Sequence, residues 1–519
     1  MASKSIKNFF KFSLFLPILL YVGERSYLSY DEGFYALQAK WIIQNKNWII
    51  PTWWGEYSLD RTIGIQFLIA KSQEILGDSF FAAHLPVTLA SALMLFVTFK
   101  LHQILIHKQE AIFSVLILST TYLWFNFAHL ATQDIIFSLL VNIGLFSFIK
   151  LDKNKNPLHL FLFGAWIGLA FMMKTFFVFI PIFAILPFLF FKKEILLNKS
   201  FWIGLFIGFV PFILWSISID QYIDRNILIY LFDKLNQLSS KNTFTNPFYY
   251  YFWNIPINFV PWSLFALVGL ISNYKKIKKI NPIIVFYPIL FIFLISFFST
   301  KTPYYALPIS PLLSLNAYVG IKETINSKRL TIFLKIVGTR LIPSCIFLII
   351  PIYFFIIRKS LNFNFKEEFF VILGLILFSL SWFLINQFHK PKHIIFLLIL
   401  GPYLLTTSIV QSGLITDRSR AIRESLEYCF SNENIRNEVI QVNKHDINNH
   451  NLHSKIIKIS LLTPKLGKGI NSLKELKDSE YAWATLNNKA SEEKFSYQII
   501  FTDDNIKPWK LIKKIYTNN

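Results

Sequence analysis

Residues 80–99 read FFAAHLPVTLASALMLFVTF, twenty positions without a formal charge, closed by Lys100. A helix rises about 1.5 Å per residue, so a run of this length crosses a hydrocarbon core of about 30 Å. Comparable runs recur along the chain. Over the full 519 residues, 54% are hydrophobic, 56 are Phe and the mean hydropathy is positive, too apolar for a soluble protein of this size. The reading is a polytopic α-helical membrane protein with roughly thirteen spans, at 9–23, 80–99, 111–128, 132–149, 158–173, 175–191, 201–218, 253–272, 282–298, 304–320, 341–357, 369–388 and 394–412. Lys174 divides 158–191 in two, because a lone ammonium at mid-bilayer is costly.

Basic residues set the orientation, since Lys and Arg collect in cytoplasmic loops. Lys4, Lys7 and Lys11 place the N-terminus inside, and Lys100, Lys150, Lys192, Lys275 and Lys390 fall on the same side through alternate loops. The net charge of +22 is therefore a topology signal, spread over short loops, and nucleic acid is not an expected partner. The first apolar segment lacks a small-residue cleavage site and reads as a retained helix of a plasma (inner) membrane protein. After about 412 the composition turns polar. The chain thus divides into a transmembrane domain, 1–412, and a small external or periplasmic α/β domain, 413–519, with a helix at Arg418–Phe430 and strands at 439–442, 455–461 and 497–501. Cys345 and Cys429 are too few to form a disulfide framework.

The loop following the first span carries Tyr30-Asp31-Glu32-Gly33-Phe34-Tyr35-Ala36. Phe34, Leu37, Trp41 and Ile42 repeat at helical spacing, which predicts an amphipathic helix lying in the interface, with the acidic pair at its positive end. Locally, Asp31 reads equally well as a cap on a surface helix, and Trp48, Trp53 and Trp54 read as an interfacial aromatic belt. Asp60-Arg61 follow in the same loop; Asp134, Lys174 and Lys301 with Tyr305 fall near the same external ends of later spans. Acids and bases gathered on one face point to a pocket that holds an anion beside a carboxylate.

On these residues the chain resembles the GT-C membrane glycosyltransferases that include the protein O-mannosyltransferases and the lipid A aminoarabinose transferases. The shared features are Asp31-Glu32-x-x-Tyr35-Ala36, Trp48-x-x-Pro51, Leu85-Pro86, Gly168-Leu169-Ala170-x-x-x-Lys174, Pro247-Phe248-Tyr249-Tyr250-Tyr251 with Pro261-Trp262, and Ser299-Thr300-Lys301-x-x-x-Tyr305-Ala306-Leu307-Pro308, in that order over about 1–412. The chain departs from the family at Asp60-Arg61-Thr62-Ile63, which stands where members carry Glu-Lys-Pro. No His occurs in 219–252, where some members place a metal ligand, so no metal or other cofactor is expected to be required.

The resemblance implies an inverting transferase moving a sugar from a polyprenyl-phosphate donor to a hydroxyl of a lipid, glycan or protein acceptor at the external face. It implies Asp31 as general base with Glu32 as second candidate, Arg61, Lys174, Lys301 and Tyr305 as donor-phosphate ligands, and Asp60 and Asp134 as positioning groups. A transporter of a lipid-linked or small anionic substrate, or a non-catalytic scaffold, remains the alternative; a transporter should place its charges at mid-bilayer in repeated broken helices.

Overall fold

The computed structural model describes residues 12–28, 30–151, 156–240, 245–353, 364–444, 447, 450–485 and 497–515. It is a multi-pass helical bundle with a five-stranded sheet domain at its C-terminal end. By length and composition, seven helices among the described residues can cross a membrane, or up to nine if each of two bent pairs counts as one span. The expected spans at 111–128 and 253–272 are those bent pairs, broken by 69° and 113°. Residues 282–298 give the shorter helix Ile283–Ser296, and 304–320 opens as a 3-10 turn. The run 157–190 comprises the α-helices Pro157–Lys174 and Phe179–Phe190 joined by a 3-10 turn, Thr175–Val178, and counts as one 34-residue candidate span, so the expected division at Lys174 is a break within it.

The elements that position the site are helix α1 (Asp31–Asn45), the hairpin β1 (Thr52–Trp53) and β2 (Glu56–Tyr57), α2 (Gly64–Leu76), α3 (Phe80–Leu105), α4 (Gln133–Lys150), α5 (Pro157–Lys174), α6 (Lys199–Ile219), α7 (Ile227–Ser240), α8 (Ser263–Lys275) and α9 (Ser310–Asn326). In the terminal domain follow α10 (Arg420–Cys429), β3 (Ile440–Asn443), α11 (His450–Leu462), β4 (Leu466–Ile470), β5 (Tyr481–Ala484), β6 (Tyr497–Phe501) and β7 (Lys510–Lys514). The sheet order is β4-β3-β5-β7-β6, parallel across β4-β3-β5 and antiparallel beyond.

Lipid offers no hydrophobic force between helices, so close backbone approach must supply the packing. Helices α5 and α6 achieve it with paired small residues. A Cβ on Gly164 or Gly168 would lie 2.1 or 2.3 Å from the backbone of α6, and one on Gly204 or Gly208 would lie 2.0 or 2.2 Å from that of α5. Gly269 and Gly320 bring α8 and α9 together in the same way. Buried amides add direction: Asn142 on α4 donates to the Pro308 carbonyl at 2.9 Å, fixing the 3-10 segment Pro303–Ile309 against α4.

Two sequence expectations are corrected here. Residues 455–461 form helix α11 and not a strand. Ile456, Ile457, Ile459 and Ser460 are all buried, so the β-branched run is apolar on both faces, one against the domain and one against α1. Helix α1 is likewise enclosed and not a surface amphipath, with ten of its fifteen residues buried. A Cβ on Gly33 would sit 2.6 Å from the Ile457 side chain, and the Lys40 ammonium donates to the carbonyls of Leu461 and Thr463 at the end of α11.

Replacing Gly204 with Leu is expected to abolish recovery of folded protein in mild detergent, because the added side chain meets backbone that cannot yield. Gly338→Ala, whose Cβ would find its nearest neighbour at 3.6 Å, should leave thermal stability within about 1 kcal/mol.

Candidate functional site

Asp31 begins α1, following Tyr30 at φ 68°, a left-handed conformation that a tyrosine adopts only under constraint. Its carboxylate is half-exposed and lies 3.8 Å from Arg61 Nη1. Arg61 also donates to the Tyr35 hydroxyl at 2.8 Å, pairs with Asp60 at 3.4 Å and lies over the Phe34 ring at 4.5 Å. Burial disfavours its charge, but Tyr35, Asp60 and Asp31 outweigh that and hold it firmly cationic. Asp60 accepts from Ser58 at 3.1 Å and pairs with Lys234 of α7 at 3.1 Å. Burial raises its carboxyl and the two cations bring it back below the ordinary carboxylate value.

A second ion pair closes the inner side. Lys174 ends α5, and Thr175 at φ 43° turns the chain immediately after it. Its ammonium donates to Asp134 Oδ1 at 2.5 Å and lies 4.5, 4.9 and 4.7 Å from the ring centres of Tyr304, Tyr305 and Phe177. The Tyr35, Tyr304 and Tyr305 hydroxyls all lie in the fields of both Asp31 and Asp134, which places the two ion pairs around one spot. A phenol ionises only near about 10, so Tyr305 is a neutral donor at physiological pH.

The structure thus gathers Asp31, Asp60, Arg61, Asp134, Lys174 and Tyr305, as the sequence reading expects. Two members stand elsewhere. Lys301 is buried, with its ammonium donating to the carbonyls of Asn246 at 2.7 Å and Phe298 at 2.5 Å. It staples the loop before Tyr304 and is no free phosphate ligand in this conformation. Glu32 is 2% exposed. Its Oε1 accepts from His84 at 2.7 Å and from the Ala131 amide at 2.8 Å, and its Oε2 accepts from the Leu28 amide at 2.6 Å. Its part is to bind the starts of α1, α3 and α4 together, because consecutive residues of a helix diverge by about 100° and only one of the pair can face the site. Burial opposes its charge, but His84, Arg418 and the Ala131 amide hold its carboxyl below its ordinary value of 4.5.

Sequence reading missed Lys234, Tyr35 and Tyr304. Tyr35 had a signal, four residues after Asp31 and so on the same helix face. Lys234 had none, since its partner lies 174 positions away (234 minus 60). Of the three tryptophans read as an interfacial belt, Trp54 is buried, against Trp41 and His453 of α11, and so faces protein; Trp48 and Trp53 are partly buried.

Residues 60–217 match the family model of the dolichyl-phosphate-mannose-protein mannosyltransferases. The chain is 26% identical over 335 residues to an undecaprenyl phosphate-alpha-4-amino-4-deoxy-L-arabinose arabinosyl transferase of Photorhabdus laumondii, covering 62% of this chain and 60% of that one. It is 29% identical over 332 residues to the protein of the same name from Wigglesworthia glossinidia brevipalpis, covering 58% of this chain and 57% of the other. The match therefore spans less than two thirds of the length of either relative. The fold superposes on the crystal structure of ArnT from Cupriavidus metallidurans bound to undecaprenyl phosphate with a TM-score of 0.77 at 14% identity, covering 99% and 98% of the two chains.

The division of labour within the acidic pair is measurable. Glu32→Ala should lower unfolding stability by about 3–5 kcal/mol, because it leaves buried partners unpaired, whereas Asp31→Asn should change it by no more than about 0.5 kcal/mol. As a depressed carboxylate, Glu32 contributes stability that is complete above 4.5 and is lost as pH falls through its lower folded value, and thermal denaturation of wild type and Glu32→Gln between pH 3 and 6 should show the difference narrowing toward acid.

Proposed function

We propose that this chain, a relative of the mannosyltransferase and aminoarabinose transferase group with the fold of its GT-C members, is an inverting glycosyltransferase that takes a sugar from a polyprenyl-phosphate donor. The observation that supports this reading is the pair of ion pairs, Asp31 with Arg61 and Asp134 with Lys174, set among Tyr35, which is buried, and Tyr304 and Tyr305, which are partly buried. A transporter would hold its charges near mid-bilayer within broken helices, whereas these stand in the first loop and at the ends of α4 and α5.

Asp31 accepts the proton of the acceptor hydroxyl as that oxygen forms its bond to the anomeric carbon. The bond from that carbon to the phosphate oxygen breaks, its electron pair leaves with the phosphate, and polyprenyl phosphate is released. Attack opposite the leaving group inverts the anomeric centre. Charge grows on the phosphate, so cations matter more than a general acid. Arg61 offers a planar fork and Lys174 a point charge, with Tyr305 a neutral hydrogen-bond donor. Each cation is already paired with a carboxylate, so the donor phosphate binds by sharing them, and Asp60 and Asp134 keep them in place meanwhile. Lys301 serves by holding the loop that presents Tyr304 and Tyr305.

In the cell the reading places the chain in the plasma membrane, with a cytoplasmic N-terminus and the site and terminal domain outside, as the basic loops direct. The donor's tail stays in the lipid and its phosphate reaches the site at the interface. The acceptor is a hydroxyl-bearing molecule of the cell envelope.

With labelled polyprenyl-phosphate sugars and cell-envelope membranes containing the chain, which supply the acceptor hydroxyl, wild type is expected to release polyprenyl phosphate, Asp31→Asn to release it about 10²–10⁴ times more slowly and Arg61→Ala about 10²–10³ times more slowly. Absence of release by wild type from every donor tried, or full activity in Asp31→Asn, would overturn the reading.

A further inference from the structure

Behind α1, on the side away from the two ion pairs, lies a cavity of about 320 Å³, at the lower end of the range for small-molecule sites. Successive residues of a helix turn by about 100°, so Lys40 in its wall stands about 180° round α1 from Asp31. Tyr27, Gln73 of α2, Asp78 and Ser79 just before α3, and the last residues of α11 complete the lining. Lys40, Gln73 and Tyr27 are buried and form its depth, whereas Asp78 and Ser79 are exposed and form its rim.

Depth and rim carry opposite charges. An ammonium has three N–H groups, and on Lys40 the Leu461 and Thr463 carbonyls accept two of them, at 2.9 and 2.5 Å. Among the described residues no carboxylate pairs with it directly; Asp78 acts on it only through space, and burial pushes the ammonium down to about 8. A buried cation balanced by neutral carbonyls alone is stabilised by any anion that takes its third N–H. At the rim, Asp78 Oδ1 accepts from Gln73 at 3.0 Å, which leaves Oδ2 open to a cation. Helix α3 turns its positive end toward the same space, capped by the Ser79 hydroxyl, which accepts from the Ala82 amide at 3.2 Å.

We infer that this cavity binds a small zwitterion of the phosphoethanolamine class, its phosphate directed inward to Lys40 and its primary ammonium outward to Asp78. An anion alone would meet the repulsion of Asp78, and a cation alone that of Lys40; a molecule carrying both charges satisfies both. The position suits a head group as well as a free molecule, because Phe80 opens a membrane-crossing helix and Ile75, Leu76 and Phe81, which flank the rim in sequence, are exposed and apolar. The cavity is separate from the ion pairs but joined to their anchor. Tyr27 in its wall stacks on His84 at 5.5 Å, and His84 holds Glu32, so an occupant braces α1 from behind. The inference stands independently of the glycosyltransferase reading.

Calorimetric titration of the full chain in detergent tests it, with glycerophosphoethanolamine, glycerophosphoglycerol and ethanolamine as probes. Glycerophosphoethanolamine should bind at least about tenfold more tightly than either of the others, the worth of one charge-assisted hydrogen bond. Asp78→Asn, a surface change, should bring it down to the level of glycerophosphoglycerol and leave glycerophosphoglycerol itself no weaker. Lys40→Met, which keeps the apolar stem, should abolish binding of both phosphates; if that variant does not fold, Asp78→Asn decides. Equal binding of the two phosphates by wild type, a preference that survives Asp78→Asn, or no binding of any probe would overturn the site. Repeating the titration in phosphatidylglycerol nanodiscs with and without phosphatidylethanolamine separates the sources. Loss of probe binding when phosphatidylethanolamine is present assigns the cavity to a lipid head group, and equal binding assigns it to a free zwitterion; both uphold the chemistry.

Discussion

A single buried carboxylate organises this molecule. Glu32 draws the Leu28 and Ala131 amides and the His84 ring onto itself in a space with almost no access to water. A charge in such a place is tolerated only if every oxygen is satisfied, and satisfying it fixes three helix starts relative to one another. Asp31 then has no freedom of position: it is carried by the same helix, one residue before, and points about 100° away. Ala131 stands three residues before Asp134, so the same anchor sets the second acid as well. The distance between the two ion pairs is thereby a property of Glu32 more than of the pairs themselves.

The site inherits a particular electrostatic character from this arrangement. Its cations are not bare. Arg61 is shared among Asp31, Asp60 and Tyr35, and Lys174 sits on Asp134 within a cage of aromatic rings. Preorganised charges of this sort avoid the cost of turning dipoles during reaction, and pairing each with a carboxylate lets them survive in a poorly hydrated place before any substrate arrives. Strain marks the same two positions: Tyr30 and Thr175 adopt left-handed backbone beside Asp31 and Lys174.

Much of this could be read from the sequence because membrane physics leaves strong marks. Uncharged twenty-residue runs announce helices, and charges next to them stand out, which is how Asp31, Arg61, Asp134 and Lys174 could be grouped before any coordinates. What the sequence hid were relations between distant segments. The Lys234–Asp60 pair, the grip of α11 on α1 and the staple made by Lys301 have no local pattern behind them. The same blindness explains the misread strand at 455–461 and the misread surface helix at 31–45: each was taken as half-exposed, and each turns out to cover the other. Trp54 belongs to the same error, since an aromatic belt and an aromatic joint have one composition.

The joint between α1 and α11 spans 421 positions of sequence, from Lys40 to Leu461. Ribosomes deliver such a chain from one end, at about 5–20 residues per second. The loop that carries α1 therefore emerges tens of seconds before α11 exists, and the face of α1 that α11 covers waits through the insertion of every later helix. A product stalled before the terminal domain would carry Asp31, Arg61, Asp134 and Lys174 and still lack α11, the cover of α1.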